Sequence, residues 1–213
     1  MRMDFDPVAV GARDFYKLLN SVVVPRPIAW ISSTSPEGVD NLAPHSYFTV
    51  ACTDPPVVQF TSVGHKDSLV NIEATGEFVV NLVPEALFEE ANATGTDFPH
   101  GVSEFEAVGL EREASTRVLA PRVARSPVAL ECVLHQTVPV AGCTLVLGRV
   151  VHAAVAASVL SDGRPAIGKL KPLSRLGGDE WGLIGEIREI ARIPHQQWPG
   201  HFRPARSSGT TRR

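Results

Sequence analysis

Long apolar runs, basic stripes and a signal-like N-terminus are all missing from this sequence, and each absence excludes a class of protein. No run of ~18 apolar residues occurs, so we expect no membrane span. The net charge is -3 and no basic stripe precedes the tail RPARSSGTTRR, which gives no reason to expect nucleic-acid binding. The N-terminus MRMDFDPVAV has acids where a signal peptide needs a basic start, so we expect a cytoplasmic protein.

Cysteine is also scarce. Cys52, Cys132 and Cys143 are odd in number, widely spaced and free of any C-x-x-C pair, which argues against a disulfide framework or a zinc site. Their neighbours are typical of buried strands, where a free cysteine packs as a small hydrophobic residue. We therefore expect all three to be structural.

Catalytic motifs are missing or incomplete. The seven histidines are scattered without H-E-x-x-H spacing, so we expect no metal site. There is no G-x-S-x-G elbow to indicate a serine hydrolase, and no carboxylate pair stands out for general acid–base catalysis. The segment GRPAIGKL matches part of a phosphate-binding P-loop, but Leu170 replaces the required Ser or Thr. Pro172 would also break the helix that must follow, so this segment is predicted to be a loop.

What the sequence does contain is a β pattern. Strands are predicted at 28–33, 46–51, 57–62, 78–82, 128–140 and 144–157. Short helices are predicted at 11–20, at 68–75 with Asp67 as the cap and Gly76 as the stop, and after Pro84. Six or seven strands with short inserted helices predict a mainly β barrel, a single domain over 1–213 with its core at about 20–182 and a disordered tail at 203–213.

The stretch from 25 to 68 gathers the candidate ligand-binding residues. Ser32, Ser33 and Thr34 end one strand with three hydroxyl groups, and the small residues of 41–46 would let a flat ring approach the backbone. Lys66 precedes a predicted helix start, where an anion is favoured. The alternative for Ser32, Ser33 and Thr34 is a simple turn, and the alternative for 41–46 is a connecting loop. The alternative for Lys66 is a solvated surface lysine. The polar segment 96–117 is predicted to be a surface excursion that covers part of this site.

Several motifs together resemble the flavin reductase-like, FMN-binding split-barrel family, which includes flavoredoxins and the reductase components of two-component monooxygenases. They are PRPIAWISS, NLAPHSYF, DPP, KDSLVNIEATGEFVVNLV, SPVALEC, LVLGRVV and SRLGGDEW, and they span most of 20–182. The chain has Ser68 where family members often have threonine, and Trp181 where they often have tyrosine. The resemblance implies a six- or seven-stranded split β-barrel. It also implies that the flavin is held by Ser32, Ser33, Thr34, Asn41, Ala43, Pro44, His45, Ser46, Tyr47, Phe48, Lys66, Asp67 and Ser68.

The function that the resemblance implies is a flavin-dependent oxidoreductase that uses NAD(P)H to reduce FMN, or FAD, and passes the electrons to an acceptor. The flavin would carry the chemistry, and His45 beside the ring would at most tune it. A homodimer and a monooxygenase or other electron-accepting partner are also implied. The alternatives are an FMN-bound electron-transfer protein, a ferric or chelate reductase, and a non-catalytic flavin- or haem-binding protein.

Overall fold

The computed structural model describes residues 1–198, and its dominant feature is one antiparallel sheet of seven strands. The strands along the chain are β1 Arg26–Pro27, β2 Ala29–Thr34, β3 Asp40–His45, β4 Phe48–Thr53, β5 Pro56–Val63, β6 Glu77–Leu82, β7 Arg112–Glu113, β8 Arg122–Val123, β9 Val128–Val140, β10 Cys143–Val155, β11 Leu160–Ser161, β12 Arg164–Pro165, β13 Ser174–Arg175 and β14 Trp181–Gly182. The large sheet has the order β3-β2-β6-β9-β10-β5-β4, and smaller sheets are formed by β1-β13-β14, β11-β12 and β7-β8. The predicted mainly β class is confirmed.

One strand of this sheet was not predicted. Residues 41–45 were not among the predicted strands, and a connecting loop was the alternative to a ligand-binding role for them. They belong to β3, which pairs with β2 along its whole length. Proline and small residues weaken the strand pattern here. Pro44 is nevertheless tolerated because β3 is at the edge of the sheet, where a missing N–H group on the free side leaves the ladder intact.

Short helices cover the sheet, and their bounds are α1 Pro7–Val10, α2 Ala12–Val22, α3 Asp67–Thr75, α4 Phe88–Ala93, α5 Glu104–Val108 and α6 Ile167–Leu170. The helix predicted at 68–75 is confirmed, and it ends at Gly76, whose φ of 74° is left-handed. The prediction that Asp67 caps α3 is wrong. Lys66 occupies the N-cap position, and Asp67 lies in the first turn with its Oδ1 3.0 Å from Nδ1 of His100. No helix within residues 1–198 is long and apolar enough to cross a membrane.

The hydrophobic core lies on both faces of β2. Trp30 packs with Leu87 and Phe105 on one face, while Ile31 packs with Phe60 and other residues on the opposite face. Because both faces of β2 are covered, its side chains are buried almost without exception. The strand therefore separates a layer that contains α4 and α5 from the layer that contains α3.

Gly148 shows how tightly the second layer is packed. A Cβ atom on this residue would collide with the ring of Phe78, so only glycine lets β10 approach β6 across the core. The pairing of β10 with β9 also shifts its register between Leu147 and Gly148, which gives the long hairpin a bulge at this point.

The cysteines differ from expectation. Cys132 is buried as predicted, and burial raises its thiol pKa to about 12. Cys52 is exposed, however, and Cys143 is only half-buried. Cys52 belongs to β4, an edge strand whose residues from Thr49 onward face solvent, so an apolar sequence context did not imply burial.

Two further expectations concern the C-terminal part of the chain. The GRPAIGKL segment forms β12 and the one-turn helix α6 rather than a plain loop, and Nζ of Lys169 donates to the Leu160 carbonyl. The tail predicted to be disordered, 203–213, lies outside the described residues. The single-domain organisation stays a prediction.

Candidate functional site

An open cavity of about 410 Å³ lies between the free edge of β3, the start of α3, the segment after α4 and the N-terminal helix α2. Its volume falls within the range of small-molecule sites, ~300–1,000 Å³. Nine of the thirteen residues predicted to hold a cofactor line this cavity: Asn41, Ala43, Pro44, His45, Ser46, Tyr47, Lys66, Asp67 and Ser68. The fold therefore brings the NLAPHSY and KDS segments together.

The structure does not bring the other four predicted residues into the cavity lining. Ser32 is fully buried, and its hydroxyl donates to the Pro121 carbonyl. Ser33 accepts from Asn71, while the hydroxyl of Thr34 donates to Asp40. Phe48 packs against the core layer that contains α3. All three hydroxyl residues belong to β2, an interior strand. The side chains of Ser32 and Ser33 are fully buried in it, and Thr34 at its end is half-buried.

A chain of buried polar side chains forms one wall of the cavity. Nδ2 of Asn41 donates to both carboxylate oxygens of Glu104, at 2.9 and 3.0 Å. The hydroxyl of Ser68 donates to Oδ1 of Asn41 at 2.8 Å, and Nε2 of His45 lies 3.5 Å from the same hydroxyl oxygen. This chain connects α5, β3 and α3, so the wall is held by three separate elements.

Glu104 was missed by the sequence analysis. Glu104 is 6% exposed, and its carboxylate also accepts a 2.8 Å hydrogen bond from the Leu42 amide on the free side of β3. Burial raises the pKa of Glu104, and the hydrogen bond from Leu42 opposes this rise. The residue lies in the polar excursion predicted at 96–117, but nothing in its local sequence distinguished it from a surface glutamate.

His45 is buried in the cavity wall with its ring centroid 4.7 Å from that of Phe60. Burial lowers its pKa to about 4, a hydrogen bond to the Thr61 backbone works against this, and the charge of Lys66 lowers the pKa further. The imidazole is therefore neutral at neutral pH.

The start of α3 is the first place in the cavity suited to an anion. No side chain caps this helix, and its first intrahelical donor is the Leu69 amide, so the amides of Asp67 and Ser68 have no acceptor within the helix. Lys66 is 58% exposed, and its Nζ lies 3.1 Å from Oδ1 of Asp97, which is 90% exposed. Such an exposed pair is worth at most ~1 kcal/mol, so Lys66 can exchange this partner for a ligand.

Another part of the cavity lining comes from α2 and from Arg26 and Arg175 on the paired strands β1 and β13. Arg26 is 8% exposed, and its guanidinium donates to the carbonyls of Asn20, Val23 and Leu176. Arg175 lies over the Trp181 ring, 4.8 Å from the centroid. Neither arginine was predicted as a site residue, although both lie in motifs that carried the family resemblance.

Two other kinds of charged cluster are relevant to function: a group of metal ligands, and a buried ion-pair network away from the cavity. Within residues 1–198 no group of three or more His, Cys, Asp or Glu side chains could hold a metal ion. Glu131, which is fully buried, pairs with Arg122 and belongs to a network that does not line the cavity.

Comparison with solved structures defines the fold class. The chain is similar to nitrilotriacetate monooxygenase component B from Bacillus cereus, with a TM-score of 0.86 and 34% identity over 89% of this chain and 99% of the other. It is also similar to 2-nitrobenzoate 2-nitroreductase from Pseudomonas fluorescens, with a TM-score of 0.84 and 30% identity over 96% of this chain and 100% of the other. A protein with a split barrel domain from Shewanella frigidimarina, 23% identical, matches in fold with a TM-score of 0.81 over 90% of this chain and 100% of the other. The protein is a split barrel, as predicted.

Sequence comparison then gives the family. The model of the flavin reductase like domain matches residues 21–169. An uncharacterized protein of Aquifex aeolicus is 38% identical over 182 residues, which are 83% of this chain and 93% of that protein. This chain belongs to the flavin reductase-like family.

Proposed function

We propose that the cavity binds FMN and that the protein is a flavin-dependent oxidoreductase reduced by NAD(P)H. The observation that carries the proposal is the convergence, in one open cavity, of a helix start without a side-chain cap, an exposed lysine whose one ion pair is with an exposed aspartate, and the edge of β3 at the small residues Ala43 and Pro44. An anionic group fits the first of these and a flat ring fits the second. Family membership supports flavin as the ligand that combines both.

In this proposal the phosphate is held by Lys66 and by the amides of Asp67 and Ser68. The hydroxyl of Ser68 already donates to Asn41, so its oxygen can only accept a further hydrogen bond while its amide donates. Asp67 faces His100, which turns its carboxylate toward a partner other than the ligand.

The ring is placed against the edge of β3 and the turn that follows it, from Ala43 to Ser46. The neutral imidazole of His45 adds no charge there, and the buried chain from Glu104 to Ser68 keeps this wall rigid. A bound flavin would supply the redox chemistry, the acceptance of a hydride from NAD(P)H and the transfer of its two electrons to the acceptor. The protein holds, orients and shields it. FAD is the alternative flavin.

The acceptor and the partners are part of the proposal. Two structural relatives are named a monooxygenase component and a nitroreductase, which supports transfer either to a partner monooxygenase or to a small oxidant. We also propose a homodimer in the cytoplasm. Exposed apolar residues on α2 and on the edge strand β4, among them Leu19, Val22 and Val50, support an interface there.

The test is the behaviour of the purified protein with flavin and NAD(P)H. We expect a visible flavin spectrum after reconstitution, rapid bleaching by NADH or NADPH, and many turnovers of NADH oxidation with excess free FMN. Bleaching without turnover on free FMN would favour the bound electron-transfer protein. A flavin spectrum that neither nucleotide bleaches would overturn the oxidoreductase proposal and leave a flavin-binding protein.

A further inference from the structure

Two arginines occupy opposed positions on the paired strands β1 and β13. Strands β1 and β13 pair in antiparallel register, and this places Arg26 directly opposite Arg175. Both residues line the cavity. Like charges in directly opposed positions destabilise a strand pair, so some compensation is expected.

The protein supplies no counter-ion to this pair in the part of the chain that the structure describes. Every hydrogen bond of the Arg26 guanidinium goes to a carbonyl oxygen, and Arg175 donates to the Gly178 carbonyl while it lies over Trp181. The three acids that line the cavity are engaged elsewhere. Asp67 faces His100, Asp97 faces Lys66, and Glu104 accepts from Asn41 and Leu42.

Burial makes the missing counter-ion more significant. Arg26 is 8% exposed, and a buried cation without an opposite charge is unfavourable unless another group offsets it. Carbonyl oxygens offset part of this cost. An anion in the cavity would offset the rest, and arginine's planar set of donors suits phosphate and carboxylate groups.

We propose that Arg26 and Arg175 form a second anion subsite, which binds a phosphate or carboxylate group of the molecule that exchanges electrons with the flavin. The identity of that molecule rests on the proposed function. FMN has a single phosphate, for which the start of α3 and Lys66 are already suited, so the arginine pair is available to another ligand. Lys66 precedes α3, whereas the arginine pair belongs to β1 and β13, so the two proposed subsites are carried by different elements of the fold.

The test variant is Arg175→Gln, because Arg175 is half-buried and its removal leaves the hydrogen bonds of Arg26 to three carbonyls in place. The matched control is Arg164→Gln, which removes the same charge from the exposed strand β12 outside the cavity. Inorganic pyrophosphate and benzoate are titrated by calorimetry into the apo protein and the FMN-loaded protein. FMN affinity is measured in parallel.

We expect the wild type and the control to bind at least one of the two anions, and Arg175→Gln to bind it roughly tenfold or more weakly at unchanged FMN affinity. Arg175→Lys should recover part of the loss, because it restores the charge without the planar donors. A preference for pyrophosphate assigns the subsite to a dinucleotide, and a preference for benzoate assigns it to a carboxylate-bearing acceptor.

Three outcomes would overturn the subsite: no anion binding by the wild type, equal binding by Arg175→Gln and its control, or loss of FMN and anion binding together in Arg175→Gln. The last outcome would place the flavin phosphate at the arginine pair. Failure of the wild type to bind FMN would refute the proposed function instead, and the titration of the apo protein would still decide the subsite.

Discussion

Glu131 on β9 and Glu104 on α5 are both buried carboxylates, but their surroundings are opposite. Glu131 is fully buried and accepts from the Thr116 and Arg117 amides and from Arg122. Burial pushes its pKa upward, but these hydrogen bonds outweigh burial and hold the pKa below its ordinary value. Glu104 has no cation in contact within residues 1–198, and burial raises its pKa.

The difference separates a structural network from a ligand site. Glu131 ties β8 and β9 to the 116–117 turn and has all of its charge compensated inside the protein. Glu104 lines the cavity and, in the described part of the chain, accepts hydrogen bonds only from neutral donors, among them the Asn41 side chain and the Leu42 amide. Other groups in the cavity, the first amides of α3 and the two arginines, have no acceptor or counter-ion within residues 1–198 that would prevent a ligand from binding them. A carboxylate whose pKa is shifted beside a cavity is a candidate for a functional site, whereas structural ion-pair networks shift pKa values without one.

The largest expected effect is a loss of protein stability when the buried network around Glu131 is broken. Glu131→Ala should destabilise the protein by about 3–5 kcal/mol, because it leaves Arg122 buried without its main partner. The free energy of unfolding from urea titration measures this. Glu113→Ala is the control, since Glu113 pairs with the same arginine but its side chain is 54% exposed, and it should cost at most ~1 kcal/mol. Equal effects of the two variants would refute the structural role.

The next effect belongs to the cavity. Lys66→Ala should weaken FMN binding by about 1–3 kcal/mol if Lys66 pairs with the phosphate, while the stability of the protein changes little. Flavin titration followed by fluorescence measures the affinity. Lys171→Ala removes an exposed lysine outside the cavity, paired with Glu85, and should leave FMN affinity unchanged. If both variants bind FMN as the wild type does, Lys66 is not part of the site.

The pH dependence of stability should have opposite signs at the two glutamates. The raised pKa of Glu104 means that its contribution to stability is fully present below its unfolded value, near 4.5, and is lost as the pH rises through the folded pKa. Glu104→Gln should therefore gain stability relative to the wild type as the pH rises. The lowered pKa of Glu131 gives stability that is present above the unfolded value and lost as the pH falls.

Unfolding free energies of the wild type, Glu104→Gln and Glu131→Gln over a series of pH values test this contrast. The difference between Glu104→Gln and the wild type should grow with pH, and the advantage of the wild type over Glu131→Gln should shrink as the pH falls. If the unfolding free energies of both variants follow the wild type in parallel at every pH, the pKa values of the two carboxylates are not shifted in opposite directions.

The smallest effect concerns His45. With a pKa of about 4, it does not titrate near neutral pH, so His45→Gln should leave the shape of the FMN affinity profile unchanged between about pH 6 and 8. Its lowered pKa gives stability that is present above 6.5 and lost as the pH falls toward 4. A step in the wild-type profile near 6.5 that disappears in the variant would show that His45 is charged there.

Local sequence was sufficient where pattern and packing agree. The long hairpin of β9 and β10 and the helix α3 with its glycine stop follow from apolar β runs and from capping rules, and both were predicted close to their observed bounds. The strand β3 was not predicted, because Pro44 and small side chains resemble a loop unless the strand is known to be at an edge.

The site was predicted in part for the same kind of reason. Lys66 and the 41–47 segment stand out because an anion and a flat ring need such residues, and they do line the cavity. Ser32 and Ser33 have suitable hydroxyl groups, but β2 has a layer on each face, so neither side chain reaches the cavity. Local sequence reveals which groups a residue carries but not which face its strand exposes.

The sequence by itself therefore determined the family, the mainly β class and the segments that surround the cavity, because these depend on local patterns and motifs. Only the tertiary structure decided which side chains converge. Glu104 meets Asn41, and Arg26 meets Arg175, through pairings between residues far apart in the chain. The burial, charge compensation and pKa of a side chain depend on those neighbours. Only the folded protein therefore shows that Glu131 is paired with a cation, whereas within residues 1–198 Glu104 and the two arginines of the cavity have no partner of opposite charge.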